Sequence, residues 1–210
     1  MAELQKLLKR LRSAEKKDDF DKLDATRQLI IDEHGDTLEA AEARYRLGLS
    51  KLLRHKQLKE AEELFTQAAQ TGDQYFAPAA RVSLALVMHA QKRTQKALFE
   101  LRKVVGSRKP TPHSAVALAF IVTILRDSGA KAEEVTRARG QQIVALRTLL
   151  GEADPDATEA RAQLALQLAA ALVDQGEGDE AKTLLEEILA AGEAIDVSTR
   201  EEAKAALAAL

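Results

Sequence analysis

Apolar residues recur at helical spacing through nearly the whole chain, as in Leu4, Leu7, Leu8 and Leu11 or Ala61, Leu64, Phe65 and Ala68. Side chains three and four apart share a helix face, so the spacing predicts amphipathic helices, each with one face to bury. The interruptions are short and carry turn residues: Lys17-Asp18-Asp19, His34-Gly35-Asp36, Thr71-Gly72-Asp73, Gly106 to Thr111, Asp127-Ser128-Gly129, Gly151 to Asp154 and Gln175-Gly176-Glu177-Gly178. Thr111-Pro112 and Asp154-Pro155 each join an N-cap residue to a proline suited to the first helical turn. Pro78 marks another start, and Ser198-Thr199-Arg200-Glu201 reads as a capping box. The pattern predicts eleven helices near 3–16, 18–33, 37–54, 57–70, 78–91, 94–106, 112–128, 131–150, 155–175, 178–191 and 198–210. Short connections make successive helices antiparallel neighbours.

Five helix pairs can be laid over one another. The first helix of a pair carries a large residue followed by a small or compact one: Leu47-Gly48, Leu84-Ala85, Ile121-Val122 and Leu168-Ala169. The second carries an alanine, then a bulky residue, then an apolar one: Ala61-Phe65-Ala68, Ala97-Leu101-Val104 and Ala181-Leu185-Ile188. Leu47, Leu84 and Ile121 are each 37 residues apart, and Leu168 follows 47 later across a longer second helix and linker. Recurrence of this kind indicates a solenoid.

The pattern resembles the tetratricopeptide repeat, whose helix pairs place Leu-Gly in the first helix and a key alanine in the second. Ala165 to Ile188 carries the match in full, with Leu168, Ala169, Leu172, Gly176, Ala181, Leu185 and Ile188 in step. Ile30 to Gly48 is similar to bacterial members in which a Pro-Asp-Ser turn precedes an Ala-rich, Tyr-containing helix, with Gly35 standing for the proline. The first pair keeps only Phe20, Leu23 and Ile30, and the fourth second helix, with Arg137, Arg139 and Gly140, departs from the pattern. The expected fold is an all-α, right-handed α-solenoid. Its five antiparallel pairs cover 3–33, 37–70, 78–106, 112–150 and 155–191, with a capping helix at 198–210, in one domain spanning 1–210.

Composition supports a foldable helical chain: 46% of its 210 residues are hydrophobic, 30% charged and only 3% aromatic. The absence of cysteine removes disulfides, thiolate metal sites and cysteine nucleophiles. No stretch is long and apolar enough to span a membrane, and the first residues lack a signal peptide's apolar core, so a cytoplasmic location is expected. The net charge of −2 conceals a polarity. Residues 1–150 hold 27 Lys/Arg against 19 Asp/Glu (+8), whereas 151–210 hold 4 against 14 (−10). From Arg81 to Arg147 the balance is 13 against 4 (+9).

Catalytic constellations are missing. His34, His55, His89 and His113 stand far apart without metal-ligand spacing, no glycine loop suits a phosphate, and no serine sits in a GxSxG elbow. Asp154 of Asp154-Pro155-Asp156 is better read as an N-cap than as half of a carboxylate pair. An enzyme is the disfavoured alternative, and no cofactor or metal is expected. The basic residues Lys92, Arg93, Lys96, Arg102, Lys103, Arg108 and Lys109, with Arg137 and Arg139, read first as a solvated outer face, since exposed helix positions are usually charged, and otherwise could meet an acidic protein or the chain's own acidic end. Nucleic acid is disfavoured, because no aromatics are interleaved for base stacking.

The tetratricopeptide resemblance implies a groove on the first helices that takes a peptide or helix. Its inner face would include Tyr45, Leu49, Leu52, Val82, Leu86, His89, Ala119, Phe120 and Thr123. The carboxylate-gripping subset of that family uses Lys and Asn there, and this sequence has no asparagine. The expected function is a non-enzymatic adaptor or assembly scaffold for a helical or extended partner segment. The rival is self-assembly of the basic middle on the acidic end.

Overall fold

A computed structural model describes residues 2–106 and 109–210. Among them the regular structure is helical throughout: α1 (Ala2–Glu15), α2 (Phe20–Glu33), α3 (Leu38–Leu53), α4 (Leu58–Gln70), α5 (Phe76–Ala90), α6 (Thr94–Val105), α7 (Pro112–Asp127), α8 (Ala132–Glu152), α9 (Thr158–Gln175), α10 (Gly178–Ala190) and α11 (Val197–Ala208). A single 3₁₀ turn, Gly192–Ala194, precedes α11. The chain divides into two compact units, 1–104 and 105–210.

In the first unit α1 to α5 pack each against the next, and α3 also packs against α5. The amphipathic stripes converge in buried clusters, including these two. Leu4, Leu7, Ile30, Ala40 and Ala43 form one, and Ala61, Phe65, Ala68, Ala80, Leu84 and Val87 form the other. Phe65 is fully buried and touches Tyr45, their ring centroids 6.1 Å apart. Burial of such a side chain contributes about 1.5–3 kcal/mol. Arg81 on α5 joins α6 through Glu100, 2.7 Å away.

The second unit repeats the scheme. Contacts run α7 to α8, α8 to α9, α9 to α10 and α10 to α11, and α9 also packs on α11. Its core contains Ile143, Leu146, Leu168, Leu172, Leu185 and Ile188. The alanines of the repeat pattern, Ala61, Ala97 and Ala181, are all fully buried, because only a methyl group fits where adjacent helices come close.

N-cap side chains close the starts of α2, α3 and α7, and three other expected starts are corrected. Thr111 and Ser114 form a reciprocal capping box with proline in the first turn of α7. Gly176 takes a left-handed φ of 87° after α9, and the Glu177 N–H then donates to the Leu172 carbonyl, closing the helix as the glycine position predicted. Asp154, however, does not cap α9. Its carboxylate accepts from the Asp156 N–H, a local turn that delays the helix to Thr158. Pro78 is likewise not the start of α5, which begins at Phe76, where Asp73 Oδ1 accepts from the Tyr75 and Phe76 N–H groups. The Ser198 capping box does not form either. Helix α11 starts at Val197, and Glu159 of α9 reaches over to accept from the Asp196 N–H at 2.8 Å and from Thr199 Oγ1 at 2.7 Å. These bonds hold the Glu159 carboxyl below the usual carboxylate range.

Candidate partner-binding surfaces

The proposed inner-face residues of the first unit lie on α3 and α5. Tyr45, Leu49 and Leu52 are half-buried and rest against the Phe65 cluster. Leu86 and His89 are also half-buried, whereas Val82 is 7% exposed and offers a partner little surface. Tyr45 stands between Phe65 and Phe76, 6.2 Å from the latter's centroid. This aromatic row was not legible as a unit, since the three residues come from three helices. In the second unit, Ala119 and Phe120 on α7 are half-buried, and Thr123 is exposed with its hydroxyl donating to the Ala119 carbonyl.

The basic residues are distributed between pairing and exposure. Arg93 lies 2.6 Å from Glu62 and holds that carboxyl below its ordinary range, chiefly by hydrogen bonding. Lys103 pairs with Glu100 at 2.7 Å and also sits 4.2 Å above the exposed Phe99 ring. Lys109 pairs with Glu152 at 3.1 Å. Lys92, Lys96 and Arg102 are exposed. Arg108 lies outside the described residues. Arg139 is not part of any exposed basic surface. It is buried, with Nη1 on Gln142 Oε1 at 2.6 Å and Nη2 on Asp174 Oδ2, and burial pushes its pKa down.

Two further constellations went unseen in the sequence. Asp24 on α2 gathers Ser50 Oγ at 2.5 Å, Arg27 at 3.2 Å and His55 Nε2 at 3.3 Å, joining α2 to the end of α3. In the second unit an apolar groove of about 420 Å³ lies between α7 and α8, floored by Leu118, Gly140 and Ala145, with Val144 62% exposed at its edge. Among the described residues no group of three His, Cys, Asp or Glu could hold a metal ion, and no helix is long and apolar enough to cross a membrane.

No protein-family model matches the sequence, and no curated protein sequence does. Solved structures do resemble the chain. BtubC (BKLC) from P. vanneervenii is 12% identical with a TM-score of 0.60, over 100% of this chain and 82% of that one. The TPR-like repeats of a putative kinesin light chain from Podosopora anserina are 17% identical with a TM-score of 0.55, over 90% and 94%. PilW, a type IV pilus biogenesis factor, is 15% identical with a TM-score of 0.52, over 90% and 79%. Identities this low speak for the fold alone. The chain has an all-α, tetratricopeptide-like helical-repeat fold of the solenoid class.

Proposed function

We propose that the chain is a non-enzymatic adaptor or assembly scaffold that holds a helical or extended segment of another protein. The observation that supports this reading is the side-by-side packing of first helices, α3 with α5 and α9 with α11. Along α3 and α5 this packing leaves Tyr45, Leu49, Leu52 and Leu86 only half-buried. Half-covered apolar side chains on a rigid helical floor suit an apolar partner face, because the floor is already ordered before binding. The fold relatives are repeat proteins, which agrees with a binding role.

A photo-cross-linking residue placed at Leu49 or Phe120 in the native cell tests the proposal, with Lys59 on an exposed position of α4 as control. Inner positions should yield a defined adduct with another protein, and Lys59 should not. Identical products from all three positions would sink the reading.

A second reading, self-assembly, is supported by the balance of −10 in residues 151–210 against +9 between Arg81 and Arg147. Exposed charges weaken with salt, so growth of mass with concentration that vanishes at high salt, seen by light scattering, separates it from the adaptor.

A further inference from the structure

A cavity of about 170 Å³ opens in the second unit where the α8–α9 connection meets α9 and α10. Its floor is apolar, formed by Leu150, Ala162, Ala165 and Ile188, and two opposite charges line it, Arg161 of α9 and Glu187 of α10. Arg161 is half-buried and held in place. Its Nη1 donates to the carbonyls of Leu150 and Ala153, both at 3.1 Å, and so caps the end of α8. Capping occupies Nη1 and leaves the Nε–Nη2 edge of the guanidinium without a partner among the described residues. The parallel N–H groups of such an edge match the two oxygens of a carboxylate.

No carboxylate of the chain fills that edge, although residues 151–210 hold 14 Asp/Glu against 4 Lys/Arg. Glu187 lines the same cavity, is exposed, and makes no ion pair or side-chain hydrogen bond among the described residues. The two lysines of the segment do find carboxylates: Lys182 lies 3.9 Å from Glu186, and Lys204 2.7 Å from Glu201. A cation and an anion that line one cavity without meeting are complementary to a small zwitterion, which gives each of them a partner. The volume limits its size. A cavity of about 150 Å³ takes a molecule as large as benzene, so this one has room for roughly six to eight heavy atoms.

We propose that the cavity binds a small free α-amino acid with an apolar side chain, its carboxylate on the Nε–Nη2 edge of Arg161, its ammonium at Glu187 and its side chain on Ala162, Ala165 and Ile188. The guanidinium is already fixed by the two carbonyls of the α8 end, so binding spends little on ordering it. The apolar floor favours an aliphatic side chain over a polar one, because a polar group placed there loses its water without gaining a partner. The site uses none of the residues of the adaptor reading and stands or falls separately from it.

The test titrates the full chain, isotope-labelled, with L-valine and with two analogues of the same carbon skeleton: 3-methylbutanoate, which lacks the ammonium, and 2-methylpropylamine, which lacks the carboxylate. Valine should bind saturably, with a dissociation constant of about 1 mM or tighter, as a ligand of so few atoms allows. It should shift the amides of 158–165 and 187–191 and bind roughly tenfold more tightly than either analogue. Arg161→Lys should lose most of the affinity, but it also removes a helix cap, so its fold needs its own check by circular dichroism. Glu187→Gln, at an exposed position, keeps the test decisive: it should leave the fold intact and abolish the preference for valine over 3-methylbutanoate. No saturable shift at about ten times the expected dissociation constant overturns the proposal. Equal binding of valine and 3-methylbutanoate to the wild-type chain overturns it, and so does a preference that survives Glu187→Gln. Shifts scattered along the whole chain, with none concentrated at 158–165 and 187–191, overturn it as well.

Discussion

The ring of Phe65 lies against the bare backbone of Gly48: a β-carbon added there would stand 2.7 Å from Phe65 Cε1 and 2.9 Å from Cδ1. The glycine of the first helix and the bulky residue of the second are thus two halves of one contact. Phe65 is fully buried and flanked by Tyr45, so it has no free space into which to retreat. Gly48→Ala sets a helix-propensity gain of about 1 kcal/mol against an overpacking cost of about 1–3 kcal/mol. The clash should win, with a net loss of up to about 2 kcal/mol in urea unfolding. Phe65→Leu should cost less in the Gly48→Ala background than in wild type, the coupling expected of residues in contact. A Gly48→Ala protein more stable than wild type would show that the ring yields.

Ala181 and its neighbour provide a test of register in the second unit. Ala181 is fully buried between helices, whereas the Lys182 side chain is 60% exposed and only 3.9 Å from Glu186. Ala181→Trp should cost at least about 1–3 kcal/mol by overpacking. Lys182→Ala should stay within about 0.5 kcal/mol. Thermal denaturation of the two variants checks both, and equal effects would place the repeat alanine wrongly.

His113, in the first turn of α7, should make the chain acid-sensitive near neutrality. Burial pushes its pKa below the ordinary 6.5, because the charged imidazolium loses solvation. In the unfolded chain the ring takes up a proton at its ordinary pKa, so below 6.5 the unfolded state binds more protons than the folded one. Stability must then fall as pH drops from about 7 toward the depressed folded pKa, and level off below it. Glu62, depressed chiefly by its bond to Arg93, acts in a lower window, losing its contribution as pH falls below its unfolded value of 4.5. Urea midpoints at pH 7.5 and 5.5 should differ more in wild type than in His113→Gln. An unchanged difference would remove His113 as the cause.

Glu159 should govern the anchoring of the last helix. Its carboxylate accepts from the Asp196 N–H and from Thr199 Oγ1, which is the hydrogen bonding the first turn of α11 otherwise lacks. Glu159→Ala should accelerate hydrogen exchange at the amides of 196–200 while leaving those of α3 unchanged. Uniform protection in both proteins would mean that packing of Thr199 and Ala203 alone holds α11.

Much of this architecture is a property of the linear chain. Leu47-Gly48, Ala61-Phe65 and Ala181-Leu185 declare their pairing because helix periodicity is a local rule and close helix approach demands small residues at regular intervals. Thr111 and Gly176 announced their caps for the same reason, since each bond they make or permit lies within a few residues. Other features depend on distances along the chain too large for such rules. Asp154 and Ser198 both looked like caps in sequence, but a local turn engaged the first, and Glu159, 37 residues before Asp196, replaced the second. Arg139 read as one of several exposed basic residues, yet packing of α8 between α7 and α9 buries it beside Asp174, 35 residues away. Desolvation then makes that pairing obligatory for Arg139. Secondary structure and pairing follow from periodicity, which is local. Which charges are satisfied and which stay open to a partner follows from burial, and burial exists only once the helices have packed.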